Sequence, residues 1–375
     1  MDSSFDNDAI SFAERVLTLL DQGSFVSTYK YAVLLGMMDV VMQRSSKQGM
    51  PPQSITTAQL AEKVIELYWP HTNHFHAPQF AGDILRQSTG KPAEIISLVS
   101  KFREHPRIGN NAPLFAAKYI DPVRYRKLLH QVEWKLIEMP LPKLQRIGRK
   151  LRNFIYVINW DDGIREGEVR KYQRGEPSHF DNRLLLQPRV GEYLVRLNGL
   201  LRPLIQREWS KMVAQINTLE EARLQRFLFD SSRASAAKLC GPLSEIQGNE
   251  CFYCEEPLGT FAKTKPEVDH FIPWARYPND GLANYVVAHN KCNGYKRDHL
   301  AASGHVVNWA RRLSGPDSIL GDLEQIATDN LWELGRESSF GVAAAIYKNL
   351  QPEVELWLEG AEFEPADKEL LAQVF

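Results

Sequence analysis

Cys251-Phe252-Tyr253-Cys254 is a CxxC knuckle, His289-Asn290-Lys291-Cys292 is an HxxC knuckle, and 34 residues lie between Cys254 and His289. A tight turn lets ligands three apart reach one ion, and two such pairs supply the four corners of a tetrahedral zinc site. His289 stands where a cysteine is commoner. It is either the fourth ligand or a polar loop residue, and the spacing favours ligation. Beside the knuckles stand a carboxylate, an imidazole and two amides: Asp269, His270, Asn284 and Asn293. Asp269 and Asn293 can both offer oxygen to a hard divalent cation such as Mg²⁺. His270 can take a proton from water, and a cation beside it would stabilise charge building on a phosphorus centre.

Short elements must hold these groups. Val268, Phe271 and Ile272 suit the end of a strand that Pro273 terminates. Tyr285-Val286-Val287 suits a second strand, and the stretch from Asn290 to about Leu300 suits a helix. The pattern predicts a ββα unit whose strands are joined by a long loop through Tyr277-Pro278-Asn279-Asp280-Gly281. Phe252 and Tyr253 are placed to seal a bound ion from water.

Residues 245–305 resemble an HNH endonuclease domain of the zinc-containing ββα-metal type. The matching words are Cys251-x-x-Cys254, Asp269-His270-x-x-Pro273, Asn284-Tyr285-Val286-Val287-Ala288 and Cys292-Asn293-x-x-Lys296. By that resemblance His270 is the general base and Asn284 braces the loop that carries it. Asn293, with Asp269, binds the catalytic divalent ion, Mg²⁺ or Mn²⁺. Lys296 and Arg297 lie near the phosphate backbone, and Cys251, Cys254, His289 and Cys292 hold a structural zinc. The resemblance covers about a sixth of the chain. A helical N-terminal region followed by such a module is similar to bacterial restriction and anti-phage defence nucleases, a likeness of layout only.

The bulk composition bounds the rest. The chain has 375 residues, 43% hydrophobic and 24% charged, with a net charge of −1. That length allows two or three domains with cores of their own. No apolar run reaches the ~18 residues of a membrane span, and the acidic N-terminus lacks the basic start of a secretory signal. Three of the four cysteines fall in the proposed zinc site, leaving Cys240 over, which argues for a reducing cytoplasm rather than a disulfide framework. The near-neutral total hides an asymmetry. Residues 121–152 carry nine basic side chains against three acidic, and residues 316–375 carry thirteen acidic against three basic. The basic run either meets a polyanion or forms a solvated helix face.

Four segments follow from pattern: a helical N-terminal domain (1–120), a basic middle region of short strands and long helices (121–235), the HNH module (236–313) and an acidic helical segment ending in a surface tail (314–375). Helices are expected at 28–43, apolar nearly all round, and from a capping box at Thr56 and Gln59 to Tyr68. Others are expected at 91–104, at 191–217 with a kink at Pro203, and at 219–229. Residues 153–158 and 184–186 read as strands. Thr57-Ala-Gln-Leu-Ala-Glu resembles the opening of a winged-helix unit, which would need a recognition helix. His71, His74 and His76 read as a surface loop. The fold class is therefore mainly α with a small ββα-metal zinc module.

The function expected is metal-dependent hydrolysis of DNA phosphodiester bonds, in restriction or phage defence. Two alternatives are an RNA-directed nuclease and a non-catalytic, zinc-stapled nucleic-acid-binding module. One such site can only nick, so a homodimer or a defence-system partner would be needed to cut both strands.

Overall fold

Apolar periodicity builds the first of two compact units, which comprises Met1–Val41 and Pro52–Ser231. A computed structural model describes the chain except for residues 1–2, 24–25, 78–79, 81–83, 91, 109–111, 230–235, 262–263 and 316–317. This unit opens with α1 (Ser3–Gln22) and α2 (Tyr29–Gln43), whose last two residues belong to the second unit. Asp39 interrupts the apolar surface of α2 and is buried against Arg202, which Asn198 also holds. Next come β1 (Ser54–Thr56) and α3 (Thr57–Tyr68). The capping box forms as read: Thr56 accepts from the Gln59 N–H, and the Gln59 side chain accepts from the Thr56 N–H.

After α3 come α4 (Glu94–Arg103), α5 (Leu114–Ile120) and α6 (Pro122–Glu138). A small hairpin follows, β2 (Arg146–Ile147) and β3 (Lys150–Leu151), and then β4 (Tyr156–Val157), α7 (Glu166–Gln173) and β5 (Arg183–Leu186). The antiparallel order β1-β5-β4 makes a three-stranded sheet. The unit closes with α8 (Val190–Arg196), α9 (Asn198–Asn217) and α10 (Glu221–Phe229).

Several expectations need correcting. The strand read over 153–158 pairs only at Tyr156–Val157, because the buried Gln145 side chain takes the N–H groups of Ile155 and Tyr156. The helix read over 191–217 breaks at Leu197, so Pro203 lies in the second turn of α9. Among the described residues the next α-helix after α3 begins only at Glu94, too far for the short turn of a helix-turn-helix unit. His71 is not on the surface. It is fully buried among Tyr68, Trp209 and Phe229, and its Nε2 donates to the Leu228 carbonyl at 3.0 Å. His74 and His76 are exposed.

The second unit comprises Met42–Pro51 and Ser232–Phe375. Its elements are α11 (Cys240–Ile246), β6 (Pro266–His270), β7 (Tyr285–His289), α12 (Asn290–Lys296), α13 (Ser303–Leu313), α14 (Leu320–Asp329) and α15 (Arg336–Tyr347). A hairpin of β8 (Glu355–Glu359) and β9 (Glu362–Pro365) and a last helix, α16 (Lys368–Val374), end it. The β6-β7 hairpin and α12 are the ββα core. β7 is buried along its whole length. Behind it, Phe271 stacks on Trp309 of α13 with centroids 5.0 Å apart. The helix expected to reach Leu300 stops at Lys296, because Arg297 turns to φ 49° and Leu300 instead accepts from the Trp357 N–H. The C-terminal segment is no surface tail: Trp357 of β8 is fully buried and packs edge-on against Tyr253.

The mainly helical class with a small ββα module stands. Among the described residues no helix is long and apolar enough to cross a membrane.

Candidate metal centre and active site

The first knuckle is a tight turn hung on β7. Phe252 N–H donates to the Val287 carbonyl, and Cys251 N–H donates to the Glu256 carbonyl, both at 2.9 Å. His289 ends β7 and Cys292 lies in the first turn of α12, so strand and helix deliver the second pair to the first. The donor atoms of Cys251, Cys254, His289 and Cys292 all lie within 4.8 Å of one another. The Cys254 and Cys292 sulfurs are 3.8 Å apart, and His289 Nδ1 is 3.3 Å from Cys254 Sγ and 3.9 Å from Cys292 Sγ. Four bonds of about 2.3 Å in a tetrahedron put sulfurs about 3.8 Å apart, so the cluster has the dimensions of a zinc site. His289 is thus positioned as a ligand. Its Nε2 sits 3.1 Å from the Pro257 carbonyl, which fixes the tautomer that turns the Nδ1 lone pair to the sulfurs. The Cys251 sulfur is held towards thiolate by a hydrogen bond from Cys292, with the His289 backbone N–H also donating to it. Among the described residues all four cysteines are free of disulfides, and Cys240 stands apart from the cluster.

Strand alternation sorts the remaining groups. Residues two apart on β6 share a face, so Glu267 and Asp269 point one way and His270 the other. Glu267 and Asp269 meet α12. Residues three apart share a helix face, and Asn290, Asn293 and Lys296 form such a row. Glu267 accepts from both Asn290 and Asn293, the latter at 3.1 Å, and Asp269 Oδ2 lies 2.9 Å from Lys296 Nζ. Tyr253 Oη, from the zinc knuckle, donates to the same Asp269 oxygen at 2.5 Å. Burial and the Asp269 charge hold that phenol well above its ordinary pKa, so it stays a donor. Rather than only screening an ion from water, Tyr253 ties the metal knuckle to the carboxylate.

Lys296, expected at a phosphate, is fully buried and also donates to the His270 carbonyl at 2.9 Å. It is committed inside the protein because Asp269 would otherwise be a buried charge without a partner. Arg297 is exposed, and its Nε donates to the Gly294 carbonyl.

On the opposite face, His270 pairs across the sheet with Tyr285, and their rings meet edge-on at 4.9 Å. His270 Nε2 lies 3.0 Å from Asp280 Oδ1, and the Tyr285 hydroxyl donates to the same oxygen at 2.7 Å. A carboxylate on Nε2 places the proton there and leaves Nδ1 as an acceptor. Asn284 is fully buried. Its Oδ1 accepts from Ile272 N–H at 2.8 Å, and its Nδ2 donates to the carbonyls of Ile272 and Asn279. It thereby clamps the turn after His270 to the loop bearing Asp280. The Asp280 carbonyl accepts from Trp332 Nε1 at 2.6 Å, which anchors that loop further.

The structure therefore sets Asp269 and Asn293 on the strand–helix seam and the His270 ring on the other face of β6, at its last residue. Among the described residues no hydrogen bond or ion pair joins those three directly. Asp280 and Glu267 had no role in the sequence reading. Asp280 was part of a polar turn four residues before Asn284. The available clue to Glu267 was its place two residues before Asp269.

A ββα unit with a four-ligand Cys/His cluster at one end defines a zinc-knuckle nuclease-like module. The family model described as HNH endonuclease matches residues 251–302, and this part of the chain is an HNH domain. No curated protein and no solved structure matches the chain.

Proposed function

We propose that this protein is a metal-dependent DNA endonuclease, its HNH domain hydrolysing phosphodiester bonds at the end of β6. The observation that carries the reading is the His270–Asp280 pair. An imidazole that is 13% exposed, with its Nε2 proton directed to a carboxylate, has Nδ1 poised to take a proton from water. Asp280 orients the ring and stabilises the imidazolium formed.

The oxygen-only donor set of Asp269 and Asn293 fits Mg²⁺ or Mn²⁺. Glu267 binds the Asn293 NH₂ group, which aims the Asn293 carbonyl oxygen away from Glu267 and leaves it to act as a ligand. An ion held by Asp269 and Asn293 would supply charge stabilisation for the departing 3′ oxygen and the phosphorane-like transition state. The products are 5′-phosphate and 3′-hydroxyl ends. A zinc ion held by Cys251, Cys254, His289 and Cys292 would be structural, since these side chains can supply all four ligands. The setting is a reducing cytoplasm and a role in restriction or phage defence, with a homodimer or partner protein completing double-strand cleavage.

One observation favours the second reading, a zinc-stapled binding module. Lys296 already neutralises Asp269, which lowers that carboxylate's affinity for a second cation.

Plasmid DNA incubated with the protein and Mg²⁺ or Mn²⁺ separates the two. Cutting that stops in chelator and falls at least about 100-fold in His270→Ala supports the nuclease. An alanine variant that cuts like wild type removes His270 as the base, and binding without cutting by both proteins establishes the module. Faster cutting of RNA than of DNA would move the substrate class.

A further inference from the structure

The β2-β3 hairpin, in the first unit, carries Arg146, Arg149, Lys150 and Arg152, four cations within seven residues and no carboxylate. All four are exposed. Among the described residues none of them makes an ion pair. Asp162, which feels Arg146 weakly, is already bridged by Lys143 at 3.2 Å. Lys30, whose amine is pushed down mainly by burial and further by Arg146, adds another positive neighbour.

Four like charges left together on a surface repel one another, a cost that a polyanion relieves. The hairpin is also tied down by its turn and by hydrogen bonds at its base. Gly148 at φ 57° followed by a residue at negative φ is the II′ turn pattern, which suits a tight two-residue hairpin. At its base the buried Gln145 accepts from Ile155 and Tyr156 N–H and donates to the Tyr156 carbonyl, and its own carbonyl accepts from Arg152 N–H at 3.0 Å. Buried Leu144 and Phe154 flank it on either side. A preformed ribbon loses little freedom on binding. Lys150 lies in β3 and Arg152 directly follows that strand.

We propose that this hairpin is a DNA-backbone contact through which the first unit holds duplex substrate for the HNH domain. The inference rests on the nuclease reading for its choice of polyanion. A lipid surface is a poor match: Leu151 is the ribbon's one exposed large apolar side chain among the described residues, too little to insert. The contact is with phosphates, so it supplies affinity and position without base selection.

Binding of a short duplex to the full chain, without added divalent ion, is measured from about 50 to 200 mM NaCl. Each phosphate contact contributes about 0.9 to the slope of log affinity on log salt. The variant Arg146→Gln, Arg149→Gln, Lys150→Gln, Arg152→Gln is expected to flatten the slope by about 3 to 4, and Arg149→Gln alone by about 1. The variant Arg146→Lys, Arg149→Lys, Arg152→Lys, which keeps every charge, is expected to keep the slope. A quadruple variant with the wild-type slope overturns the proposal. So does a lysine variant that loses binding as the glutamine variant does, since shape or folding would then be responsible. A slope change seen with single-stranded RNA or anionic phospholipid vesicles but not with duplex DNA overturns the assignment to DNA. Plasmid cutting by wild type judges the nuclease reading separately. Cutting with hairpin-independent binding sinks only the hairpin, and hairpin-dependent binding without cutting sinks only the nuclease.

Discussion

His270 keeps its Nε2 on Asp280 while Tyr285 donates to the same oxygen, so one carboxylate fixes both the tautomer and the angle of the ring. Asp280→Ala is expected to lower kcat roughly 10- to 100-fold with little change in KM, because a freed imidazole samples the wrong tautomer and orientation. A wild-type kcat in Asp280→Ala would reduce Asp280 to a loop residue. The candidate site residues were proposed from sequence because imidazole, carboxylate and amide at these spacings have few other uses together. Their partners were not. Lys296 read as a phosphate ligand because sequence shows a cation and hides that the Asp269 carboxylate lies 2.9 Å away in the interior. Glu267 became meaningful only when α12 laid Asn290 and Asn293 against it.

At the scale of elements, the two knuckles gather the four candidate ligands from separate pieces of backbone. Cys251 and Cys254 sit in one turn, and His289 and Cys292 straddle the junction of β7 and α12, so a bound zinc ties turn, strand and helix together. Cys254→Ser is expected to lower the melting temperature of the HNH domain and to reduce bound zinc below one equivalent, with a stability loss on the order of several kcal/mol. Unchanged melting and unchanged zinc content would count against the structural-metal assignment.

A second element-scale expectation concerns the short turn carrying His71. Burial pushes His71 down to about 3. In the unfolded chain the same imidazole titrates near ~6.5, so below that pH the unfolded state binds a proton that the folded state refuses. Stability contributed by the neutral ring is present above ~6.5 and falls by up to ~1.4 kcal/mol per pH unit as pH drops toward about 3. The midpoint of urea unfolding followed from pH 7 to 4 should therefore fall less steeply in His71→Phe than in wild type. Parallel curves would show that His71 does not set this acid sensitivity. Turn residues around His71 pointed to the surface, and only the aromatic packing of Tyr68, Trp209 and Phe229 revealed the burial.

At the scale of the whole molecule, the chain forms two compact units. The first encloses the Asp39–Arg202 pair, both nearly inaccessible to water. Removing one partner strands the other charge, so Asp39→Ala is expected to destabilise this unit by about 3–5 kcal/mol in urea unfolding. A loss below about 1 kcal/mol would mean that the pair is dispensable. Local rules were readable along the chain wherever neighbours in sequence decide structure. The Thr56–Gln59 capping box, the strand–strand–helix order and the two knuckles all depend on spacings of a few residues. Contacts between residues far apart in the chain carry no such mark. Chain order could not announce that Trp357 would back Tyr253, that Gln145 would replace a strand partner for Ile155, or that Asp280 would find His270. Sequence by itself determined which chemical groups this protein owns and the short elements that bear them, because helix and turn geometry are local. Tertiary packing alone decided which charges are paired, which are buried and which remain on the surface, because desolvation and ion pairing depend on what the rest of the chain brings alongside.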